Sequence, residues 1–127
     1  KGALDLDYSP EFQRLIPVFE YIEEHMNEKI SMEKVCTLVN MSYFHFSKHF
    51  KRVMGKSFRE YVNYKKMMQA ERLLLTSELS IMEIASSLGM SNLANFYKVF
   101  DVRFHCTPYE LRKKSRAKAE HTGFAVD

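Results

Sequence analysis

The chain has 127 residues, enough for one domain or for two very small ones. Hydrophobic residues make up 46% of it and aromatic residues 13%, a composition that excludes a disordered protein. There are only four glycines and three prolines, and no alternating pattern of Val, Ile and Thr, so helices are favoured over strands. No apolar run approaches the roughly 18 residues of a membrane span, and no signal peptide opens the chain.

Charge is distributed unevenly along the chain, although the formal net charge is only +3. Residues 1–35 hold four basic and eight acidic side chains, whereas residues 43–72 hold eight basic and two acidic ones. Residues 98–118 hold seven basic and two acidic side chains. One acidic end and two basic zones create a field that attracts a polyanion, and an acidic protein partner would respond to the same field.

The two cysteines, Cys36 and Cys106, form no CxxC motif, and each lies in an apolar setting. Free thiols are therefore favoured over a disulfide, which fits a reducing cytoplasm. Because residue 1 is not methionine, we expect the chain to be part of a longer protein.

The first part of the chain predicts a series of short helices. Apolar residues at helical spacing indicate a helix over residues 11–27, in which Pro17 either delays the start or introduces a kink. Ser31 is expected to cap a helix over residues 32–39. After a three-residue turn comes the stretch 42–57, which completes the layout of a helix-turn-helix and also of many bundle corners.

The stretch 42–57 predicts a helix with two opposite faces. Phe46 and Phe50 lie on an apolar stripe that must be buried, and the other face carries small polar and cationic side chains. Ser42 can cap this helix, and Gly55 can adopt the left-handed conformation that ends it. A helix of this kind fits a DNA groove, although a solvated surface helix can show the same charge pattern.

A longer helix is predicted from Phe58 to Thr76, beginning at a capping box formed by Ser57 and Glu60. Six of its residues are available for packing: Phe58, Tyr61, Val62, Met68, Leu73 and Leu75. The chain is accordingly divided into a linker remnant (1–9), a first helix-turn-helix subdomain (10–56), a bridging helix (57–77), a second helix-turn-helix subdomain (78–118) and a flexible tail (119–127).

The second half of the chain repeats the first. Residues 84–100 correspond to residues 35–50, with one residue inserted after Ser91. The capping box of the long helix recurs later as Thr107 and Glu110. Agreement over about thirty positions is improbable by chance, so the groove-shaped helix is predicted to occur twice in an all-α fold.

Three motifs carry a family resemblance: Phe46-x-x-x-Phe50-Lys51-x-x-x-Gly55-x-Ser57-x-x-x-Tyr61, Leu79-Ser80-Ile81-x-x-Ile84-Ala85-x-x-x-Gly89-Met90, and Phe96-x-x-x-Phe100 with Thr107-Pro108-x-x-Leu111-Arg112. Over about residues 10–116 the chain resembles the DNA-binding domain of AraC-type (AraC/XylS) transcription regulators. The resemblance implies about seven helices in two helix-turn-helix subdomains bridged by a long central helix. It also implies sequence-specific binding to double-stranded DNA, with recognition helices at about 43–54 and 93–104 in successive major-groove segments.

The resemblance further implies which side chains read bases. They are Phe44, His45, Ser47 and Lys48 in the first unit and Ala94, Asn95, Tyr97 and Lys98 in the second. A lysine can donate to guanine, Asn95 can bond adenine, and Phe44 can pack on a thymine methyl group.

Other side chains are predicted to contact phosphate and so to position the protein without reading sequence. They are Ser42, Lys51, Arg52, Lys56, Ser57, Ser91, Arg103, Thr107 and Arg112. The second unit departs from the family pattern, because His105 stands where glycine is usual and Asp101 where lysine is usual. Histidine adopts a left-handed conformation less readily than glycine, and aspartate repels phosphate. We therefore expect residues 42–57 to bind DNA more strongly than residues 91–107.

No metal, cofactor or enzyme activity is predicted. His45 and His49 have a spacing found in zinc sites, but no third ligand is suitably placed, so His49 is assigned to packing. No carboxylate pair, triad or glycine-rich phosphate loop is present. The resemblance implies transcription activation, with RNA polymerase and an N-terminal sensing or dimerising domain as partners. The alternative is a helical protein-interaction module whose basic faces bind an acidic partner.

Overall fold

The computed structural model describes residues 9–122, which form eight α-helices and no β-strand. In chain order they are α1 (Pro10–Gln13), α2 (Ile16–Glu24), α3 (Met32–Val39), α4 (Tyr43–Met54), α5 (Phe58–Thr76), α6 (Ile81–Ser87), α7 (Leu93–Phe104) and α8 (Pro108–Thr122). The predicted all-α fold is confirmed. The predicted linker remnant, apart from Ser9, and residues 123–127 of the predicted tail lie outside the described residues. The flexible tail was predicted to begin at residue 119, whereas the last helix continues to Thr122.

Pro17 explains why eight helices are present where about seven were predicted. It lies in the first turn of α2, where its missing N–H is tolerated, whereas in the middle of a continuous helix it would remove a hydrogen bond and clash. The predicted helix over residues 11–27 therefore divides at Arg14 and Leu15. Leu15 is fully buried, so the break itself packs into the core.

The chain divides after Val62, inside α5, into two compact units, each with its own hydrophobic core. In the first unit the core contains Phe46 and Phe50 of α4, and in the second it contains Phe96 and Phe100 of α7. All four rings are fully buried. The two cores thus use corresponding positions of the repeat, which is what the sequence comparison implied.

The second half of α5 packs through a different set of residues from the one predicted. Met67, Ala70 and Leu74 are buried in the core of the second unit, following the i, i+3, i+7 spacing of one helix face. Met68 and Leu75 are 41% and 48% exposed, so their predicted packing is wrong. Each lies one position further along the helix and is thereby rotated by about 100° away from the core. The other predicted packing residues are buried or pack against a core: Phe58, Tyr61, Val62 and Leu73.

Each helix-turn-helix contains a left-handed residue in its turn. These are Asn40 with φ 54° and Gly89 with φ 71°. The next residue donates its N–H to a carbonyl of the preceding helix. The Met41 N–H donates to the Cys36 carbonyl at 3.1 Å, and the Met90 N–H donates to the Ala85 carbonyl at 2.9 Å. Cys36 and Ala85 are both buried, and burial raises the pKa of the Cys36 thiol. Cys36 is thus a free thiol in the hydrophobic core of the first unit, and the predicted free thiol is confirmed.

Three capping boxes begin helices in the described part of the chain. In the box that begins α5, the Glu60 N–H donates to Ser57 Oγ at 3.1 Å and the Ser57 N–H donates to Glu60 Oε1 at 2.9 Å. The same reciprocal pattern begins α6 and α8, through Ser80 with Glu83 and Thr107 with Glu110. The hydrogen bond from the Ser57 N–H, with smaller contributions from Lys51 and Lys56, lowers the pKa of Glu60.

Glu60 should therefore make the stability of the fold depend on pH in the acid range. A carboxylate with a lowered pKa stabilises the folded state above its unfolded value of about 4.5, and this contribution is lost as the pH falls through the folded value. We expect Glu60→Gln to remove that part of the acid dependence, as measured by denaturant unfolding of both proteins across the acid range. Parallel stability curves for the two proteins would show that ionisation of Glu60 contributes nothing to the acid dependence.

Candidate nucleic-acid interface

Both ends of α4 are set by residues that the sequence singled out. Ser42 Oγ accepts a hydrogen bond from the His45 N–H at 3.1 Å and begins the helix. Gly55, with φ 79°, ends it, and its N–H donates to the Lys51 carbonyl at 2.9 Å. The predicted span and caps of this helix are confirmed.

The two faces of α4 separate as predicted. Phe46, His49 and Phe50 are buried, whereas Phe44 is 72% exposed. The Lys48 ammonium lies 5.1 Å from the centre of the Phe44 ring, so these two predicted base readers form an exposed cation–π pair. Of the four candidates on this helix, Phe44, His45 and Lys48 are exposed and Ser47 is half-buried.

The cap of α7 is Asn92, which the sequence comparison did not identify. Asn92 Oδ1 accepts from the Asn95 N–H at 3.0 Å, whereas Ser91, the repeat partner of Ser42, lies one residue before the cap. The single inserted residue thus moves the capping role from Ser91 to its neighbour. The four predicted base readers on this helix are all exposed: Ala94, Asn95, Tyr97 and Lys98.

The predicted phosphate contacts of the first unit lie around the end of α4 and the start of α5. Lys51 and Arg52 are exposed in the last turns of α4, and the Arg52 guanidinium donates to His49 Nδ1 at 3.1 Å. Ser42 is exposed, and Lys56 and Ser57 are half-buried. Ser57 uses its hydroxyl to cap α5.

The predicted phosphate contacts of the second unit are more varied. Ser91, Arg103 and Thr107 are exposed. The Arg103 guanidinium lies 4.9 Å from the centre of the Tyr64 ring, and its Nη2 is 4.0 Å from Met68 Sδ. The Arg103 side chain therefore packs against α5 through Tyr64 and Met68.

Arg112 has a structural role that differs from the predicted phosphate contact. Its Nε donates to the Leu74 carbonyl at 3.1 Å and its Nη2 to the Ser77 carbonyl at 3.2 Å. These carbonyls lie at the C-terminal end of α5, where helix carbonyls lack partners and cations are favoured. Because this half-buried guanidinium caps α5, we leave Arg112 out of the proposed phosphate contacts.

Comparison with known proteins assigns the chain to a family. Residues 35–114 match the family described as "Helix-turn-helix domain". The chain belongs to the AraC-type helix-turn-helix family. This is a family of transcription-regulator DNA-binding domains and not of enzymes.

Three relatives illustrate the similarity. The chain is 34% identical over 106 residues to the regulatory protein PocR of Salmonella typhimurium, an alignment that covers 84% of this chain and 35% of PocR. It is 32% identical over 98 residues to the xylose operon regulatory protein of Escherichia coli K12, covering 77% of this chain and 25% of that protein. The solved DNA-binding domain of AdpA, in complex with a target DNA, matches with a TM-score of 0.78 and 26% identity over 83% of this chain and 95% of that one. The chain thus spans about a third or less of the length of these two sequence relatives.

The two recognition helices of this AraC-type domain differ in charge in their last turns. Lys51 and Arg52 of α4 correspond, fifty positions later, to Asp101 and Val102 of α7. All four side chains are exposed, and Val102 is exposed by 70%. A pair of cations in the first unit is thus replaced by an acid and an apolar side chain in the second.

The usual glycine at the end of α7 is replaced without loss of the backbone conformation. His105 adopts the left-handed conformation, with φ 59° and ψ 31°, and its N–H donates to the Asp101 carbonyl at 2.8 Å. Gly55 does the same at the end of α4. The two units end their recognition helices alike, but a β-carbon makes the left-handed conformation less favourable in the second.

Adding glycine at position 105 and removing it at position 55 should shift the free energy of unfolding in opposite directions. We expect His105→Gly to raise the free energy of unfolding by about 1 kcal/mol, because glycine removes the steric cost of the left-handed conformation. The greater entropy of glycine in the unfolded chain offsets part of this gain. Gly55→Ala should lower the free energy of unfolding by about 1 kcal/mol. The cost comes from the left-handed backbone conformation alone, because an added β-carbon would meet no other atom within 4 Å. Denaturant unfolding measures both changes, and equal signs for the two variants would contradict this account.

Two buried polar residues of the AraC-type domain were not recognised from sequence as hydrogen-bonding groups. His49 is 2% exposed, and both its ring nitrogens have partners. Lys66 is 4% exposed, and its ammonium donates to the Leu88 carbonyl at the end of α6. Spacing offered a signal for both, because His49 follows Phe46 by three positions and Lys66 precedes Ala70 by four, which places each on a buried stripe.

The part of the chain between residues 9 and 122 offers neither a cluster of metal ligands nor a membrane span. No three His, Cys, Asp or Glu side chains there are grouped so that they could hold a metal ion. No helix in the same part is both long enough and apolar enough to cross a bilayer.

Proposed function

We propose that the chain binds double-stranded DNA in a sequence-specific manner, with α4 and α7 as recognition helices in successive major-groove segments. The observation that carries this proposal is the repeated helix whose aromatic stripe is buried while its first turns expose groups suited to base edges. Lys48 and Phe44 lie at these positions in α4, and Asn95 and Lys98 in α7. The N-terminal part of a recognition helix is where helix-turn-helix proteins contact bases. Similarity to the DNA-bound AdpA domain supports the same assignment.

Base reading and positioning are assigned to different side chains. In α4 the pair of Phe44 and Lys48 offers an apolar contact for thymine and a donor for guanine, and in α7 Asn95 offers an amide for adenine. Lys51 and Arg52 carry no base information and contact phosphate, which adds affinity on any sequence. The capped N-termini of α5 and α8 present further N–H groups suited to phosphate.

Selection of bound sequences from random duplex DNA tests the proposal. We expect a bipartite motif whose two parts are centred about one helical turn, or roughly 10.5 base pairs, apart. A chain carrying Lys48→Ala should retain the half of the motif assigned to α7 and lose information in the other half. A pool with no enriched motif at moderate salt would contradict sequence-specific binding. If the chain then still captured an acidic protein, the alternative of a protein-interaction module would be favoured.

We further propose that the chain is the DNA-binding part of a bacterial transcription activator that works in the cytoplasm with RNA polymerase and with an N-terminal sensing or dimerising region. The names of PocR and the xylose operon regulatory protein, each much longer than this chain, support the regulatory part of this proposal. A reporter with the selected motif upstream of a weak promoter should give more transcript when the full-length protein is expressed. Less transcript would indicate repression.

A further inference from the structure

A buried histidine connects the first helix of the domain to a cation on the recognition helix. His49 of α4 is 2% exposed, and its Nε2 lies 3.0 Å from the carbonyl oxygen of Glu11 in α1. Its Nδ1 lies 3.1 Å from Nη2 of Arg52, one helical turn further along α4. The imidazole ring is thus held between the backbone of α1 and an exposed guanidinium.

The chemistry of the three groups determines where the ring carries its proton. A guanidinium has donors only, so Nδ1 of His49 must accept from Arg52. A carbonyl oxygen only accepts, so Nε2 must carry the hydrogen and donate to Glu11. The neutral ring with hydrogen on Nε2 satisfies both contacts at once, and this leaves no ring nitrogen of the buried side chain without a partner.

We propose that His49 is a positioning residue that holds Arg52 in place for a DNA phosphate, an inference that rests on the DNA binding proposed above. A long, exposed arginine side chain loses rotamer freedom when it binds, and ordering it beforehand reduces that loss. The contact with His49 uses one of the five N–H donors of the guanidinium, so the group can bind phosphate while it is held. The Glu11 carbonyl, in turn, keeps the imidazole from rotating.

The second unit provides an internal comparison for this arrangement. At the corresponding positions, fifty residues later, His49 is replaced by Val99 and Arg52 by Val102. The histidine and the arginine are therefore both absent from the second unit, where Val99 is half-buried and Val102 exposed. The pairing of a buried histidine with an exposed arginine is thus present in α4 and has no counterpart at the corresponding positions of α7.

A double-mutant cycle on the 127-residue chain tests the inference, using the duplex recovered by selection. Arg52→Ala should weaken binding by about 10-fold and reduce the slope of log affinity against log salt by about 0.9, as expected for one phosphate contact. His49→Phe should weaken binding by about 3-fold, because Arg52 remains but is no longer ordered. In the Arg52→Ala background, His49→Phe should cause no further loss, whereas in a Lys51→Ala background it should keep its full effect.

His49→Gln separates positioning from a purely structural role. Glutamine can place an N–H donor near the position of Nε2 but offers no acceptor at that of Nδ1. If His49 positions Arg52, the glutamine variant should bind DNA as weakly as the phenylalanine variant, with a folded circular dichroism spectrum in both cases. Full rescue by glutamine, or equal loss from His49→Phe in the presence and absence of Arg52, would overturn the inference. A wild-type chain that binds no duplex would overturn the proposed function as well, whereas a failed cycle on a tightly bound duplex would leave that function intact.

Discussion

Replacing Phe50 by alanine is expected to lower the free energy of unfolding of the first unit by about 3–5 kcal/mol, the usual cost of deleting a buried aromatic ring. The ring is fully buried and has four aromatic neighbours. Their ring centres lie 5.4 Å away for Phe58, 5.6 Å for Tyr61, 5.7 Å for Phe46 and 6.3 Å for Phe19. The deletion leaves a cavity among rings that belong to α2, α4 and α5, and these helices cannot all move inward together.

The control makes the same chemical change on the opposite face of the same helix. Phe44→Ala removes a ring that is 72% exposed and should change stability by no more than about 0.5 kcal/mol. Because the chain has no tryptophan and seven tyrosines, denaturant unfolding can be followed by tyrosine fluorescence together with circular dichroism. Similar stability losses for the two variants would show that α4 is not anchored through its Phe46 and Phe50 face.

The second large effect is expected in DNA affinity and concerns Lys48. Lys48→Ala should cost about 1–3 kcal/mol of binding free energy at its own base pair and relax the sequence preference there. Lys98→Ala should cost less, since α7 carries Asp101 and Val102 where α4 carries Lys51 and Arg52. The phosphate contacts proposed for Lys51 and Arg52 would hold α4 in register with the bases, and α7 has no cation at the two corresponding positions.

Titrations of the selected duplex and of single-base variants measure this difference. Lys51→Ala serves as the matched control, because loss of a phosphate contact should weaken all sequences alike and flatten the salt dependence. A larger loss from Lys98→Ala than from Lys48→Ala would reverse the expected order of the two units. A uniform loss across sequences for Lys48→Ala would assign that lysine to phosphate instead.

Local signals were sufficient to locate most helices of this protein. Serine caps begin α3 and α4 at the predicted residues, Gly55 ends α4 as predicted, and the predicted capping boxes begin α5 and α8. These interactions join residues three or four positions apart, so they are readable in a short window of sequence. The repeat then extended the assignment from the first recognition helix to the second, which has weaker signals of its own.

Tertiary structure decided the roles that depend on distant partners. His49 and Arg112 each bond to a carbonyl of a residue 38 positions away, His49 to Glu11 and Arg112 to Leu74, and no periodicity indicates such a partner. Met67 and not Met68 lies on the buried face of α5. The sequence did not distinguish the two, because apolar spacing locates a buried face only to within about one position. The helices were thus predictable because their capping signals act within one turn, and the repeat and the family because their motifs can be read directly from the residues. The different roles of the cations depended on contacts that form only when the helices pack together. Lys48 remains exposed, Arg112 caps α5, and Arg52 is held by the buried His49.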